Sequence, residues 1–130
     1  MQYPHFCFIQ MKKGMLKNEG EQAMKVTAKR SDRNLILQLH GELDHHAAKE
    51  AMIELDRYLD VALPVFTELD LGGVTFMDSS GIAVILRLYK RMRNLNGSMR
   101  VTHVPPQALR VLKAASIGSV VRIEGEEVKA

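Results

Sequence analysis

The stretch that decides the fold is Thr75-Phe76-Met77-Asp78-Ser79-Ser80-Gly81-Ile82-Ala83-Val84-Ile85-Leu86. Its apolar beginning predicts a buried strand, its polar centre a short turn, and its apolar stripe an amphipathic helix. Two serines and an aspartate therefore stand at a helix N-terminus, where free backbone N–H groups and the positive end of the helix dipole gather. A phosphate on one of these serines would be compatible with the fold and would change the surface charge by about two units.

Strand and helix patterns alternate along the rest of the chain. Strands are predicted over residues 26–29, 34–40, 65–71, 99–104 and 119–123. The second strand is expected to end at Gly41, and Gly72-Gly73 indicates a turn or a bulge. A polar link at residues 30–33 suggests a hairpin. We therefore expect an α/β fold, with a mixed β-sheet of four to five strands packed against about three to four helices.

Three helices follow from apolar stripes and end signals. The first begins after Asp44, a plausible N-cap, and stops before Pro64. The second begins near Asp78 or Ser79 and is closed by Asn96-Gly97. The third opens at Pro105-Pro106, since proline suits the first helical turn, and is expected to be capped by Gly118. Its predicted buried face consists of Ala108, Leu109, Leu112 and Ala115.

Composition limits the class of protein. The chain has 130 residues, of which 46% are hydrophobic and 25% charged, as in an ordinary globular domain. The net charge of +3 does not demand a nucleic-acid partner. Cys7 is the single cysteine, so no intrachain disulfide can form and a cytoplasmic location is expected. No apolar run approaches the roughly 20 residues that a membrane span needs, so no membrane partner is expected.

The two ends differ from the central part of the chain. Residues 1–23 show no helical or strand period and are interpreted as an N-terminal extension, either disordered or serving as a partner-binding arm. Met11, Met15 and Met24 are all possible start sites. The domain itself is expected to cover residues 24–123. Residues 124–130 are interpreted as a charged, solvated tail.

Two motifs carry a resemblance to a known family. Asp78-Ser79-Ser80-Gly81, preceded by Gly41-Glu42-Leu43-Asp44-His45-His46, resembles the motifs of bacterial anti-sigma-factor antagonists, which are STAS-domain proteins. The similarity extends to Tyr89-Lys90-Arg91-Met92 and covers about residues 24–123. The four-residue motif alone would be a weak signal. Its place between an apolar strand and an apolar-striped helix, at the expected distance from the first motif, makes it specific.

The resemblance implies a function without catalysis or cofactors. The unphosphorylated form of such a protein binds an anti-sigma factor that is itself a serine kinase, and this binding frees the sigma factor. The kinase then phosphorylates the second serine of the motif, which maps to Ser80, with Ser79 as the second candidate. A separate phosphatase resets the switch. The resemblance also implies that the partner-binding residues are Asp44, His45, Asp78, Ser79, Ser80 and Gly81.

Other interpretations of these residues remain. The serines and Asp78 could simply cap the helix. The domain could also be a stressosome-like scaffold or another phospho-regulated interaction module. A serine hydrolase is disfavoured, because the Gly-x-Ser-x-Gly elbow is absent.

Metal and nucleic-acid binding are likewise disfavoured. His45 and His46 are neighbours that point about 100° apart on a helix, so they cannot easily share a metal. A set of basic residues could contact nucleic acid, but basic side chains on a helix more often form a solvated face. The set consists of Arg87, Lys90, Arg91, Arg93 and Arg100.

Overall fold

The computed structural model describes residues 24–124, which form one five-stranded mixed sheet with three α-helices. The strands are β1 (Lys25–Ser31), β2 (Asn34–Leu43), β3 (Phe66–Met77), β4 (Ser98–Thr102) and β5 (Arg122–Ile123). The helices are α1 (His45–Ala62), α2 (Ser80–Asn94) and α3 (Pro106–Ala114), followed by a 3₁₀ turn at Ile117–Ser119. The expected extension, 1–23, and residues 125–130 of the expected tail lie outside the described residues. The predicted α/β architecture is confirmed.

The order of the strands in the sheet is the order in the chain. β1 and β2 form the predicted antiparallel hairpin, in which Asp32 takes a left-handed conformation (φ 61°). β2, β3, β4 and β5 run parallel to one another. Parallel neighbours need crossover connections, and α1 and α2 supply the first two. The carboxyl ends of β2 and β3 therefore lie side by side.

One hydrophobic core joins the sheet to all three helices. On β2 and β3 the buried positions alternate with partly exposed, mostly polar ones, as expected for a sheet covered on one face. Its fully buried large side chains are Leu37, Leu39, Leu43, Leu59, Leu69, Leu71, Met77, Ile85, Leu88, Met92, Leu112 and Val84. The two motifs at the N-terminal ends of α1 and α2 are therefore supported by strands and helices that pack into one core.

Three strands are longer than the sequence predicts, the first of which is β1, which covers Lys25–Ser31 instead of 26–29. β2 does not end at Gly41 (φ 113°) but continues to Leu43. β3 passes through Gly72-Gly73 to Met77, because β2 continues to pair with it. The register shifts between Gln38 and His40 and again between Gly41 and Glu42. The glycine pair thus marks a bulge, the second of the two predicted alternatives.

The carboxyl-terminal part of the domain also differs from prediction. β4 ends at Thr102, because His103 takes a left-handed conformation (φ 52°) that a strand does not allow. The last strand has only two residues, since the 3₁₀ turn occupies the residues before it. α3 ends at Ala114, so Ala115 is exposed rather than buried and Gly118 lies in the 3₁₀ turn.

Ion pairs connect the outer surfaces of α1 and α2. Asp56 on α1 accepts hydrogen bonds from Arg87 on α2, the shorter one 2.8 Å long. Arg91 bridges Asp56 at 3.1 Å and Asp60 at 2.6 Å. The hydrogen bond and the charge of Asp56 raise the pKa of the Arg87 guanidinium. These contacts hold the two helices side by side.

The mutation Asp56→Ala is expected to lower the free energy of unfolding by about 1 kcal/mol, because a partly exposed network exceeds a single surface pair only slightly. Urea denaturation at low ionic strength measures the loss. At ~1 M salt, where screening shortens the range of the interaction, the difference from wild type should narrow. Equal stability of the two proteins at low salt would contradict an energetic role for the network.

Within residues 24–124, no helix combines the length and apolar character that a membrane crossing requires.

Candidate functional site

The two motifs meet at one edge of the sheet. Leu43 and Met77, the last residues of β2 and β3, are partners in the parallel register. Asp44 and Asp78 follow them directly, and the backbone N–H of Asp78 donates to the carbonyl oxygen of Leu43 at 3.4 Å. The N-terminal turns of α1 and α2 are therefore neighbours, although the motifs are far apart in the sequence.

Asp44 is the N-cap of α1, as predicted. Its side chain accepts a hydrogen bond from the N–H of Ala47 at 2.9 Å, and its backbone oxygen accepts from Ala48 at 2.9 Å. The carboxylate is half-buried, whereas His45 and His46 are exposed in the first helical turn. The capping role fixes the conformation of the first motif and leaves both imidazoles accessible.

Asp78 holds the start of α2. Its Oδ1 accepts a hydrogen bond from the N–H of Ser80 at 2.8 Å, and its backbone oxygen accepts from Gly81 at 2.9 Å. The backbone of Ser79 is already helical (φ −65°, ψ −14°), and its side chain makes no capping bond. Asp78 thus performs the capping work that the sequence assigned to either Asp78 or Ser79.

Both serine hydroxyls remain available for chemistry. Ser79 is exposed and Ser80 is half-buried. Within residues 24–124, neither hydroxyl forms a hydrogen bond with another protein group. Because Asp78 caps the helix through its own carboxylate, modification of either serine would not remove an existing cap.

Gly81 lies beneath this surface. It is buried, and a Cβ at this position would lie 2.6 Å from Cγ and 2.8 Å from Sδ of Met77. Real Cβ atoms do not approach other atoms so closely. Gly81 therefore allows the first turn of α2 to sit directly on the buried side chain of Met77.

Gln107, on α3, contributes to the site but was not predicted. Its Oε1 accepts a hydrogen bond from the N–H of Met77 at 2.8 Å, and its Nε2 donates to the carbonyl oxygen of Met77 at 2.9 Å. The two residues are separated by 30 positions. No local pattern marks Gln107, since its partners are backbone atoms of a distant strand.

The edge beside the serines is acidic and carries one exposed aromatic ring. Glu42 is exposed and is the register partner of Phe76, whose exposed fraction is 42%. The sequence predicts a buried strand here, and the exposure of Thr75 and Phe76 corrects that prediction for two residues. With Asp44 and Asp78, the edge offers three carboxylates and an apolar contact to a partner.

A group with metal-ligand chemistry lies elsewhere on the sheet. Side-chain ligand atoms of Glu68, Asp70 and His103 lie within 4.8 Å of one another. The sequence argument, which considered only His45 and His46, missed this group. Each carboxylate already has protein partners. Asp70 accepts from Gln38 and from the backbone of Gly72. Glu68 accepts from Thr102 and Arg100.

Three of the five residues in the predicted basic set pair with acidic side chains. Arg87 and Arg91 pair with acids of α1. Arg100 pairs with Glu68 at 3.5 Å and with Glu124 at 3.2 Å. These pairs leave less uncompensated positive charge for a nucleic acid than the sequence suggests.

Comparison with known proteins identifies the family. The STAS domain model matches residues 25–130. A relative from Paenibacillus polymyxa named anti-sigma F factor antagonist is 35% identical over 96 residues, which are 74% of this chain and 82% of the relative. The chain therefore belongs to the STAS domain family, and the resemblance seen in its two motifs is confirmed.

Solved structures show the same fold. The anti-sigma factor antagonist SpoIIAA in its unphosphorylated form is 21% identical and superposes with a TM-score of 0.65, covering 80% of this chain and 91% of SpoIIAA. An anti-sigma factor antagonist from Mycobacterium paratuberculosis is 16% identical, with a TM-score of 0.72 over 83% of this chain and 91% of that protein.

Proposed function

We propose that this chain is an anti-sigma factor antagonist that phosphorylation of Ser80 switches off. The observation that carries the proposal is the meeting of the two motifs at one sheet edge, where the N-terminal turns of α1 and α2 form a common surface. Support comes from the relative of 35% identity, which is named for this activity. The proposed binding residues are Asp44, His45, Asp78, Ser79, Ser80 and Gly81, of which Gly81 acts through the backbone.

The electrostatics of the edge explain how a phosphate would release the partner. The N–H of Ser80 is already bonded to the carboxylate of Asp78, and Asp44 lies on the neighbouring turn. A phosphate on Ser80 would therefore lie near the carboxylates of Asp78 and Asp44, and the N–H of Ser80 would not be free to bind it. Burying that dianion under a partner costs several kcal/mol if it finds no cation there. Since each 1.4 kcal/mol is a tenfold change, one phosphate suffices for release.

Ser79 is the more exposed of the two serines, so exposure alone would favour it as the phosphoacceptor. The choice of Ser80 rests instead on its position in the motif. Ser80 lies in the first turn of α2, where the helix dipole favours an added negative charge. The fold would therefore tolerate the modification while the docking surface changes. The agent is an anti-sigma factor serine kinase with ATP, and a separate phosphatase reverses the reaction.

We further propose that the protein is a cytoplasmic regulator and not an enzyme. A serine nucleophile needs a base within hydrogen-bond reach. In the described part of the chain, no histidine bonds the hydroxyl of Ser79 or Ser80. The serines act as acceptors of a group that another protein transfers.

Phosphorylation mapping tests the proposal. Wild type, Ser80→Ala and Ser79→Ala are each incubated with purified anti-sigma F factor of Paenibacillus polymyxa and ATP, and the products are mapped by mass spectrometry. We expect modification of wild type and Ser79→Ala and none of Ser80→Ala, with all three proteins bound by the anti-sigma factor. Modification at Ser79 would reassign the acceptor. Neither binding nor modification would favour the scaffold role.

A further inference from the structure

The second half of β3 lacks a neighbouring strand on one side. β4 pairs with β3 only from Phe66 to Asp70, whereas β2 pairs with β3 as far as Met77. The backbone that leads into the serine turn is therefore held by the sheet on one side only. At its last residue, α3 supplies the missing contact.

The side chain of Gln107 takes the place of a strand at this point. Its amide accepts from the N–H of Met77 and donates to the carbonyl of the same residue, at 2.8 and 2.9 Å. A neighbouring strand would satisfy the same two groups. Pro106 at the first position of α3 limits the backbone just before Gln107, which favours a fixed position of the amide.

The contacts continue from Met77 to the serine. Met77 is fully buried and supports Gly81, while Asp78, the next residue, bonds the N–H of Ser80. Only Asp78 and Ser79 thus separate the backbone held by Gln107 from the proposed phosphoacceptor. Any shift at Met77 passes to Asp78 and to the first turn of α2.

We infer that Gln107 is a positioning residue for the switch, which orients Ser80 toward the kinase by fixing the backbone of Met77. The inference rests on the proposed function. The packing of α3 does not require this side chain, because Ala108 and Leu112 are 1% and 0% exposed and attach the helix to the core. The bonds of Gln107 are additional to that packing and are directed at the residue before the turn.

The test compares Gln107→Met with Arg110→Met. The first variant keeps the approximate size of the side chain and removes both hydrogen bonds. The second makes the same replacement at an exposed position of the same helix. Hydrogen exchange of the Ser80 amide, followed by NMR, should become at least about tenfold faster in Gln107→Met and stay unchanged in Arg110→Met, while core amides such as that of Leu69 keep wild-type protection.

The kinase supplies a second measurement. With the Paenibacillus polymyxa anti-sigma F factor and ATP, Gln107→Met should lower kcat about tenfold with little change in KM, since misplacement of a reacting group affects the chemical step. Gln107→Glu gives a rescue test. Its carboxylate can accept from Met77 but cannot donate, whereas its protonated form can do both. The protection factor of the Ser80 amide in this variant, divided by that of wild type at the same pH, should therefore rise as the pH falls, since Asp78, which accepts the Ser80 N–H, is present in both proteins.

Two results would overturn the inference. In the first, the Ser80 amide of Gln107→Met exchanges as slowly as in wild type. In the second, every core amide loses protection equally, which shows a general loss of stability. If the kinase does not phosphorylate wild type, the proposed function fails, and exchange at Ser80 still decides whether Gln107 positions the turn.

Discussion

Ser80→Asp is expected to weaken binding to the anti-sigma F factor of Paenibacillus polymyxa by about a hundredfold. The added carboxylate lies beside Asp78, whose Oδ1 already holds the Ser80 N–H, so it gains no donor from the turn. Its desolvation under a docked partner costs about 3 kcal/mol, within the range for imperfectly paired polar groups, which corresponds to roughly two orders of magnitude in Kd. Isothermal titration calorimetry measures the change.

Two further variants separate position from charge. Ser98→Asp adds the same charge at the exposed start of β4, the opposite end of the parallel strands, and should leave the Kd within about twofold of wild type. Ser79→Asp should have a smaller effect than Ser80→Asp, because Ser79 is the more exposed residue and a carboxylate there can keep more of its contact with solvent. Tight binding by Ser80→Asp, or equal losses in all three variants, would show that Ser80 is not the switch.

Gly81→Val is expected to lower the free energy of unfolding by about 3 kcal/mol. The new side chain would enter space that Met77 occupies, since even a Cβ would lie 2.6 Å from Cγ and 2.9 Å from Cε. Met77 is fully buried and has little room to move, and overpacking of this kind costs about 1–3 kcal/mol or more. Thermal unfolding followed by circular dichroism should show Tm reduced by roughly 10–20 °C.

Ala83→Val is the matched control for the Gly81 variant. It places the same β-branched residue two positions further along α2 at an exposed site, so that helix propensity changes without overpacking. We expect a loss below about 1 kcal/mol. Similar Tm values for the two variants would mean that Met77 repacks easily and that glycine is not required at this position.

Local sequence signals predicted where helices begin. The structure confirms the predicted starts that depend on interactions between residues close in the sequence. Asp44 caps α1 through a bond to a residue three positions away, and Pro106 begins α3. The ends of strands were predicted less well. β2 and β3 continue past their glycines because each has a partner to pair with, and that partner is 30 or more residues distant in the sequence.

The candidate site was likewise predicted only in part. The motifs around Asp44 and Asp78 were found by resemblance, and the parallel register of β2 and β3 explains why they meet. Gln107 could not be found in this way, because its amide bonds the backbone N–H and carbonyl of Met77. Every residue except proline has these two groups, so the residue type at position 77 does not indicate the contact. The exposure of Phe76 was not predicted, because an alternating strand pattern does not show where a bulge changes which residues face the core.

Because of its two register shifts, β3 should respond differently to the loss of a residue and to the gain of one. Its buried residues follow every second position up to Leu71 and then every third, at Val74 and Met77, so each shift accommodates one extra residue. Deleting one residue between Leu71 and Met77 would remove one bulge and return that part of the strand to regular alternation with Met77 still on the core face, whereas an inserted residue would need a third bulge to keep Met77 there. Among relatives of this chain, single-residue insertions should therefore be rarer than single-residue deletions in this part of β3.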